Sequence, residues 1–107
     1  MLFKLWLDDE RKMPEGYDYW AHDYKEAVDA INTQISPTLH SLFISFDHDL
    51  GIGKTGYDFA KWLLENGYMG QFAIHSMNPI GASNIRQLLT HYMWEEVNPA
   101  FYIKGEK

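Results

Sequence analysis

The chain has 107 residues, of which 46% are hydrophobic and 16% aromatic; this excludes a disordered tail and suits one domain over residues 1–107. A formal charge of −6 repels polyanions and excludes tight binding along a nucleic-acid backbone, leaving a small phosphate ester or an RNA terminus reached through a cation. Cysteine is absent, so disulfides and thiolate metal sites are excluded and any metal must be held by oxygen or imidazole.

Met1-Leu2-Phe3-Lys4 leads into a short apolar run with neither the length of a membrane span nor the pattern of a signal peptide. A soluble, cytoplasmic protein without membrane contact is expected. Leu2 to Leu7 is a strand candidate that ends in Asp8-Asp9-Glu10-Arg11, and Met13-Pro14-Glu15-Gly16 is a turn or loop. Tyr17 to Ala21 is a short aromatic strand. Asp23 with Glu26 three residues later forms a capping box, and Ala27, Val28, Ile31 and Ile35 follow at helical spacing until Pro37.

Leu42 to Phe46 is a second clear strand, ending in Asp47-His48-Asp49-Leu50. A helix over Tyr57 to Asn66 carries Phe59, Trp62 and Leu63 on one stripe, with Gly67 just past its end. Phe72 to His75 is the next strand. Asn78-Pro79 has the form of an N-cap followed by proline at the first helical position, and Ile85, Leu88, Leu89, Tyr92 and Met93 continue that helix. Ala100 to Lys104 is expected to be the last strand.

Apolar strand runs separated by helical crossovers predict an α/β fold with a parallel five-stranded sheet. Such sheets bind ligands beyond the carboxyl ends of their strands. Three of those ends here carry Asp8-Asp9, Asp47-His48-Asp49 and His75-Ser76. Gathered carboxylates repel one another and call for a cation; oxygen donors point to Mg²⁺ or Mn²⁺ rather than Zn²⁺. Such an ion polarises a phosphoryl oxygen or acidifies a bound water. His48 and His75 add proton donors and acceptors near neutral pH and are placed on either side of one phosphorus, one activating water and one protonating the leaving alkoxide. Arg11 offers a planar fork to phosphate oxygens. The catalytic candidates are therefore His48, His75, Asp47 and Asp49. Ser76 and Asn78 are carried as substrate contacts, although capping the last helix accounts for Asn78 by itself. His22, His40 and His91 read as surface or structural residues, and Trp6, Trp20, Trp62 and Trp94 mainly as core.

Gly51-Ile52-Gly53-Lys54-Thr55-Gly56 has G-x-G-x-x-G spacing and ends like a P-loop. A P-loop needs glycine where His48 stands, and a dinucleotide site wants an acid where the next strand ends in His75. The glycines are read as a tight loop over the site, with Gly56 opening the helix.

Leu7-Asp8-Asp9-Glu10-Arg11, Ile44-Ser45-Phe46-Asp47-His48-Asp49-Leu50-Gly51 and His75-Ser76-Met77-Asn78-Pro79, with Gly81-Ala82 and Asn84-Ile85, resemble the cyclic-phosphate processing receiver-like family, a divergent branch of response-regulator receivers. The resemblance covers nearly the whole chain. It implies a flavodoxin-like sheet and processing of cyclic phosphates such as 2′,3′-cyclic RNA ends or cyclic nucleotides. It aligns Asp8 and Asp9 with a receiver's metal-binding acids, Asp47 with its phosphoacceptor, Ser76 with the hydroxyl after the fourth strand and, loosely, Lys104 with the lysine after the fifth. Asp8, Asp9 and Asp47 are thus the expected metal ligands, and Lys104 joins the substrate contacts. His48, Asp49 and His75 are not receiver features and favour hydrolysis over signalling.

Against a receiver, the first helix is replaced by Met13 to Gly16 and the last is missing. Both would cover the same sheet face, so an open apolar face is expected, closed by a homodimer with the loop from Arg11 to Tyr19 as partial cover. The functional expectation is a metal-assisted phosphoesterase. The alternatives are a non-catalytic module that binds a phosphorylated ligand or a protein partner, and a phospho-switch built on Asp47.

Overall fold

The computed structural model describes residues 2–35 and 41–97. The elements run β1 (Leu2–Leu7), β2 (Tyr19–Ala21), α1 (Tyr24–Gln34), β3 (Ser41–Phe46), α2 (Gly56–Glu65), β4 (Gly70–Ile74), α3 (Pro79–His91) and β5 (Glu95–Glu96). All four strand pairings are parallel, in the order β2-β1-β3-β4-β5. This is the parallel α/β sheet expected from the apolar runs, in the flavodoxin-like order that the resemblance implies; sheets of this kind bind ligands beyond the carboxyl ends of their strands.

Local chemistry sets the helix ends. The Asp23 carboxylate accepts from the Glu26 amide, while the Glu26 carboxylate reaches back one residue further than a capping box requires and accepts from the His22 amide. Thr55 and Asp58 form a reciprocal box at α2. Asn78 Oδ1 accepts from the Gly81 amide, with Pro79 in the first turn of α3. Gly67, at φ +79, takes the left-handed position after α2.

The end of α3 departs from expectation. The helix stops at His91 instead of continuing through Met93, and Met93 takes φ +74. The Met93 amide donates to the Thr90 carbonyl and the Trp94 amide to the Leu89 carbonyl, which completes a Schellman turn with a residue that disfavours it. Met93→Gly is therefore expected to stabilise the fold by about 1 kcal/mol in a denaturant melt, net of glycine's greater freedom when unfolded; a lower midpoint would show that the exposed Met93 side chain contributes more than its backbone costs.

β5 is also not signalled by the sequence. Glu95–Glu96 pairs with Gln71 and Phe72, positioned by the buried Trp94, whose indole N–H donates to the Tyr68 carbonyl. Two exposed glutamates carry no strand signal of their own. The strand expected over Ala100 to Lys104 lies outside the described residues, as do Pro37, His40 and Lys104.

Alternation along the strands divides the core in two. Leu5, Leu7, Leu42, Ile44, Phe46, Phe72 and Ile74 face the helices and pack with Ala27, Ile31, Phe59, Leu63, Ile85 and Leu89. On the opposite face Trp6, Phe43 and Ala73 are buried with Tyr17, and Met13, Trp20 and Val97 pack around them. No described helix covers that second face. The segment between β1 and β2 does so instead: Tyr17 meets Trp6 edge-on at 5.3 Å and lies 6.0 Å from Phe43, and the Trp6 indole N–H donates to the Arg11 carbonyl. The open apolar face from which a homodimer was expected is thus closed within one chain, with Trp6 3% and Phe43 0% exposed. Among the described residues, no helix is long and apolar enough to cross a membrane.

Candidate functional site

The strand register places the candidate residues in one line. Leu7 is level with Ala21 and Phe46, and Phe46 with Ile74. One step further, the Asp8 amide donates to the Ala21 carbonyl, the Asp47 amide to Leu7 and the His75 amide to Phe46. His22, Asp8, Asp47 and His75 therefore leave the sheet in a single row. By alternation the last three share the face of Trp6, Ser45 and Ala73, the face closed by the β1–β2 segment.

Asp8 is the fixed point of this row, 1% exposed. Its Oδ1 accepts from the Glu10 and Arg11 amides, both at 2.8 Å, and its Oδ2 accepts from His75 Nε2 at 2.9 Å. Carboxylate oxygens of Asp8, Asp9 and Asp47 lie within 4.8 Å of one another, close enough for one cation to take an oxygen from each. Burial, together with the neighbouring Asp8 charge, raises the Asp47 pKa above the usual carboxylate value. The Ser76 hydroxyl and the His48 amide donate to Asp47, and the Arg11 charge also acts against that rise.

Arg11 sits at the mouth of the site. Its guanidinium Nη1 donates to the His75 carbonyl at 2.6 Å, tying the loop after β1 to the end of β4. One donor of the fork is thereby engaged. The Ser76 hydroxyl oxygen also accepts from the Asn78 amide at 3.0 Å, which orders the turn into α3. The glycine loop passes over the acids as expected: a Cβ on Gly51 would stand 3.7 Å from Asp9 Oδ2. Gly56 opens α2 so tightly on β3 that a Cβ there would lie 2.0 Å from the Asp47 carbonyl oxygen.

The two histidines are held differently. His75 lies flat on Trp6, at a ring separation of 3.8 Å and an interplanar angle of 5°, with 6% of its side chain exposed. Its Nε2 is bonded to Asp8 and its Nδ1 lies 2.7 Å from the Ser45 hydroxyl. Burial pushes its pKa down to about 4, against the opposing pull of Asp8, so the ring is neutral near pH 7. His48 leaves the chain on the helical face. Its ring rests on Gly81, where a Cβ would come within 2.3 Å of the ring carbon Cγ, and its Nδ1 lies 2.9 Å from Asp49 Oδ1. Asn78 Nδ2 reaches Asp49 at 3.3 Å. The His48 and Asn78 bonds hold the Asp49 pKa below its usual value, the His48 bond most strongly. The paired acid–base arrangement expected from the sequence is corrected on this point: both His75 nitrogens are taken, while His48 leaves one nitrogen open among the described residues.

Ser45 was not among the residues singled out from the sequence. The signal was present, since it is the one polar side chain in the interior of the apolar run Leu42 to Phe46.

No curated protein and no solved structure gives a significant match to the chain. The family model described as the Cyclic-phosphate processing Receiver domain matches residues 3–91, a span that takes in the strand ends bearing Asp8, Asp47 and His75 and all three described helices. The chain belongs to the Cyclic-phosphate processing Receiver domain family.

Proposed function

We propose that this chain is a metal-assisted phosphoesterase that opens a cyclic phosphodiester, carried on a 2′,3′-cyclic RNA end or a cyclic nucleotide. The observation that carries this reading is the convergence of Asp8, Asp9 and Asp47 oxygens within 4.8 Å. Their donor chemistry fits a hard divalent ion, Mg²⁺ or Mn²⁺ rather than Zn²⁺, and Asp47, its pKa raised by burial and then by the neighbouring Asp8 charge, is a carboxylate whose ionised form a cation would favour. Such an ion supplies charge stabilisation at the phosphoryl oxygens. Arg11 adds its remaining donors to the same oxygens, and the Ser76 hydroxyl, already on Asp47, lies beside them.

Water adds to phosphorus, one ester oxygen leaves as an alkoxide, and a proton passes from the water to that alkoxide. His48 is the histidine still open to this transfer: its side chain is 18% exposed, and among the described residues its Nε2 makes no hydrogen bond. Asp49 on Nδ1 holds the ring in place. His75 has no free nitrogen and holds Asp8. That engagement favours a second reading, a module that binds a phosphorylated ligand without turnover.

Phosphorus NMR of cyclic phosphates incubated with the protein and Mg²⁺ or Mn²⁺ separates the two. Ring opening is expected, with His48→Ala slowing it about 10²-fold at unchanged fold. Tight binding without turnover across the panel would sink the enzyme reading in favour of the binding module.

A further inference from the structure

Ser45, His75 and Asp8 form a hydrogen-bonded line, with 2.7 Å from the Ser45 hydroxyl to Nδ1 and 2.9 Å from Nε2 to Asp8 Oδ2. The composition matches that of a serine hydrolase triad, yet Ser45 is 0% exposed in the interior of β3 and no substrate reaches it. The line must serve its other end, where the Asp8 carboxylate meets the site. We propose that Ser45 is a positioning residue, acting through His75 to fix the carboxylate of Asp8 for cation binding. This rests on the reading of Asp8 as a metal ligand.

The geometry explains why this position carries a small hydroxyl residue. His75 leaves β4 and Asp8 leaves β1, with β3 between them, so the imidazole must span roughly two strand spacings, about 10 Å between the backbones. It does so over Ser45, which is level with Trp6 on one side and Ala73 on the other. The other β3 side chain well buried on that face is Phe43, and a ring of that size at position 45 would take up the space the imidazole crosses. Trp6 supports the ring face while Ser45 and Asp8 hold its two nitrogens, which leaves the imidazole no freedom to turn.

The hydrogen-bond logic then sets a tautomer. An ionised carboxylate only accepts, so Nε2 carries the proton. In the neutral ring Nδ1 is bare and accepts from the Ser45 hydroxyl. Without that hydroxyl the ring can place its proton on Nδ1 and turn a lone pair toward Asp8, withdrawing one of the three donors that fix the carboxylate. Loss of such an outer partner weakens metal binding roughly 10- to 100-fold in comparable sites.

The test pairs imidazole nitrogen NMR with Mn²⁺ titration followed by electron paramagnetic resonance, on the full chain and on Ser45→Ala, with Ser45→Cys as a second variant that keeps a weak donor. The wild type is expected to show His75 with its proton on Nε2 and to bind Mn²⁺. Ser45→Ala is expected to shift the His75 signals toward the other tautomer and to weaken Mn²⁺ by about 10-fold or more, with Ser45→Cys between the two. A wild-type ring protonated on Nδ1 overturns the proposal without recourse to any variant. Equal Mn²⁺ affinity in wild type and Ser45→Ala overturns it and leaves the metal reading standing. Absence of Mn²⁺ binding in the wild type removes the metal reading itself, and this proposal with it.

Discussion

Asp47→Asn is expected to make the metal-free protein more stable and the metal-loaded protein less so. Burial and the neighbouring Asp8 raise the Asp47 pKa, so its ionised form works against folding near neutral pH, and an uncharged amide removes that opposition while still accepting from Ser76. With Mg²⁺ or Mn²⁺ present the order reverses. A cation at 100 times its dissociation constant stabilises the folded state by about 2.7 kcal/mol, and the variant forfeits most of this, keeping about 0.4 kcal/mol, because losing one of three anionic oxygens should weaken binding by about 10²-fold. Ring opening should fall below detection with it. Thermal melts in chelator and in saturating metal give all four values. A variant less stable than wild type in chelator, or one that gains as much from metal, would show that Asp47 is a structural residue and that the acidic cluster needs no cation.

The second large effect concerns acid. His75 has its pKa lowered from 6.5 to about 4, chiefly by burial. The unfolded chain therefore takes up a proton on this ring at a higher pH than the folded chain does. Its contribution to stability is complete above about pH 6.5, declines as the pH falls toward 4 and levels off below that. At about 1.4 kcal/mol per unit, the loss over the interval is about 3 kcal/mol in the metal-free protein. Asp47, with its pKa raised, has the opposite slope, so the measurement belongs in the Asp47→Asn background. Denaturant melts between pH 6.5 and 5, before most carboxylates titrate, should show stability falling with pH, and His75→Gln in the same background should flatten the curve. Parallel curves for the two proteins would mean that the ring is charged, or wet, in the folded state.

Much of the architecture was legible because local signals agreed with one another. The apolar runs ending in Asp8, Asp47 and His75 named three adjacent parallel strands, and Asp23, Asn78-Pro79 and Gly67 marked helix ends where the structure has them. The losses have separate physical causes. β5 was missed because Glu95–Glu96 is held by the sheet and by Trp94, not by strand propensity. The cover of the second face was legible only in part, as the loop from Arg11 to Tyr19, because the contributions of a non-helical segment, Tyr17 and Met13, have no periodicity that would show how much they bury.

The candidate site was half legible. Strand ends identified the row Asp8, Asp47 and His75, and two-residue alternation was enough to separate His48 from Asp47, since Leu42, Ile44 and Phe46 already committed the even positions to the helical face. What one dimension could not supply was the reach of His75 across β3 onto Trp6. That contact converts a histidine with the look of an acid–base group into one that holds a carboxylate.

The segment between β1 and β2 has a consequence for how this scaffold can diversify. In ten residues it carries Asp8, Asp9 and Arg11 at one end and Tyr17 at the other, with the Arg11 carbonyl bound to the buried Trp6. The acidic cluster and core closure are thus written into the same stretch, and a change made there to suit the proposed activity to a new substrate also disturbs the packing. The loops after β3 and β4, with the first turn of α3, carry no such double duty at Ile52, Met77 and Ile80, which stand 106%, 82% and 74% exposed. Variants selected for altered substrate preference should therefore accumulate on those two loops and spare the first, and a designer grafting new specificity onto this fold would begin at those three positions.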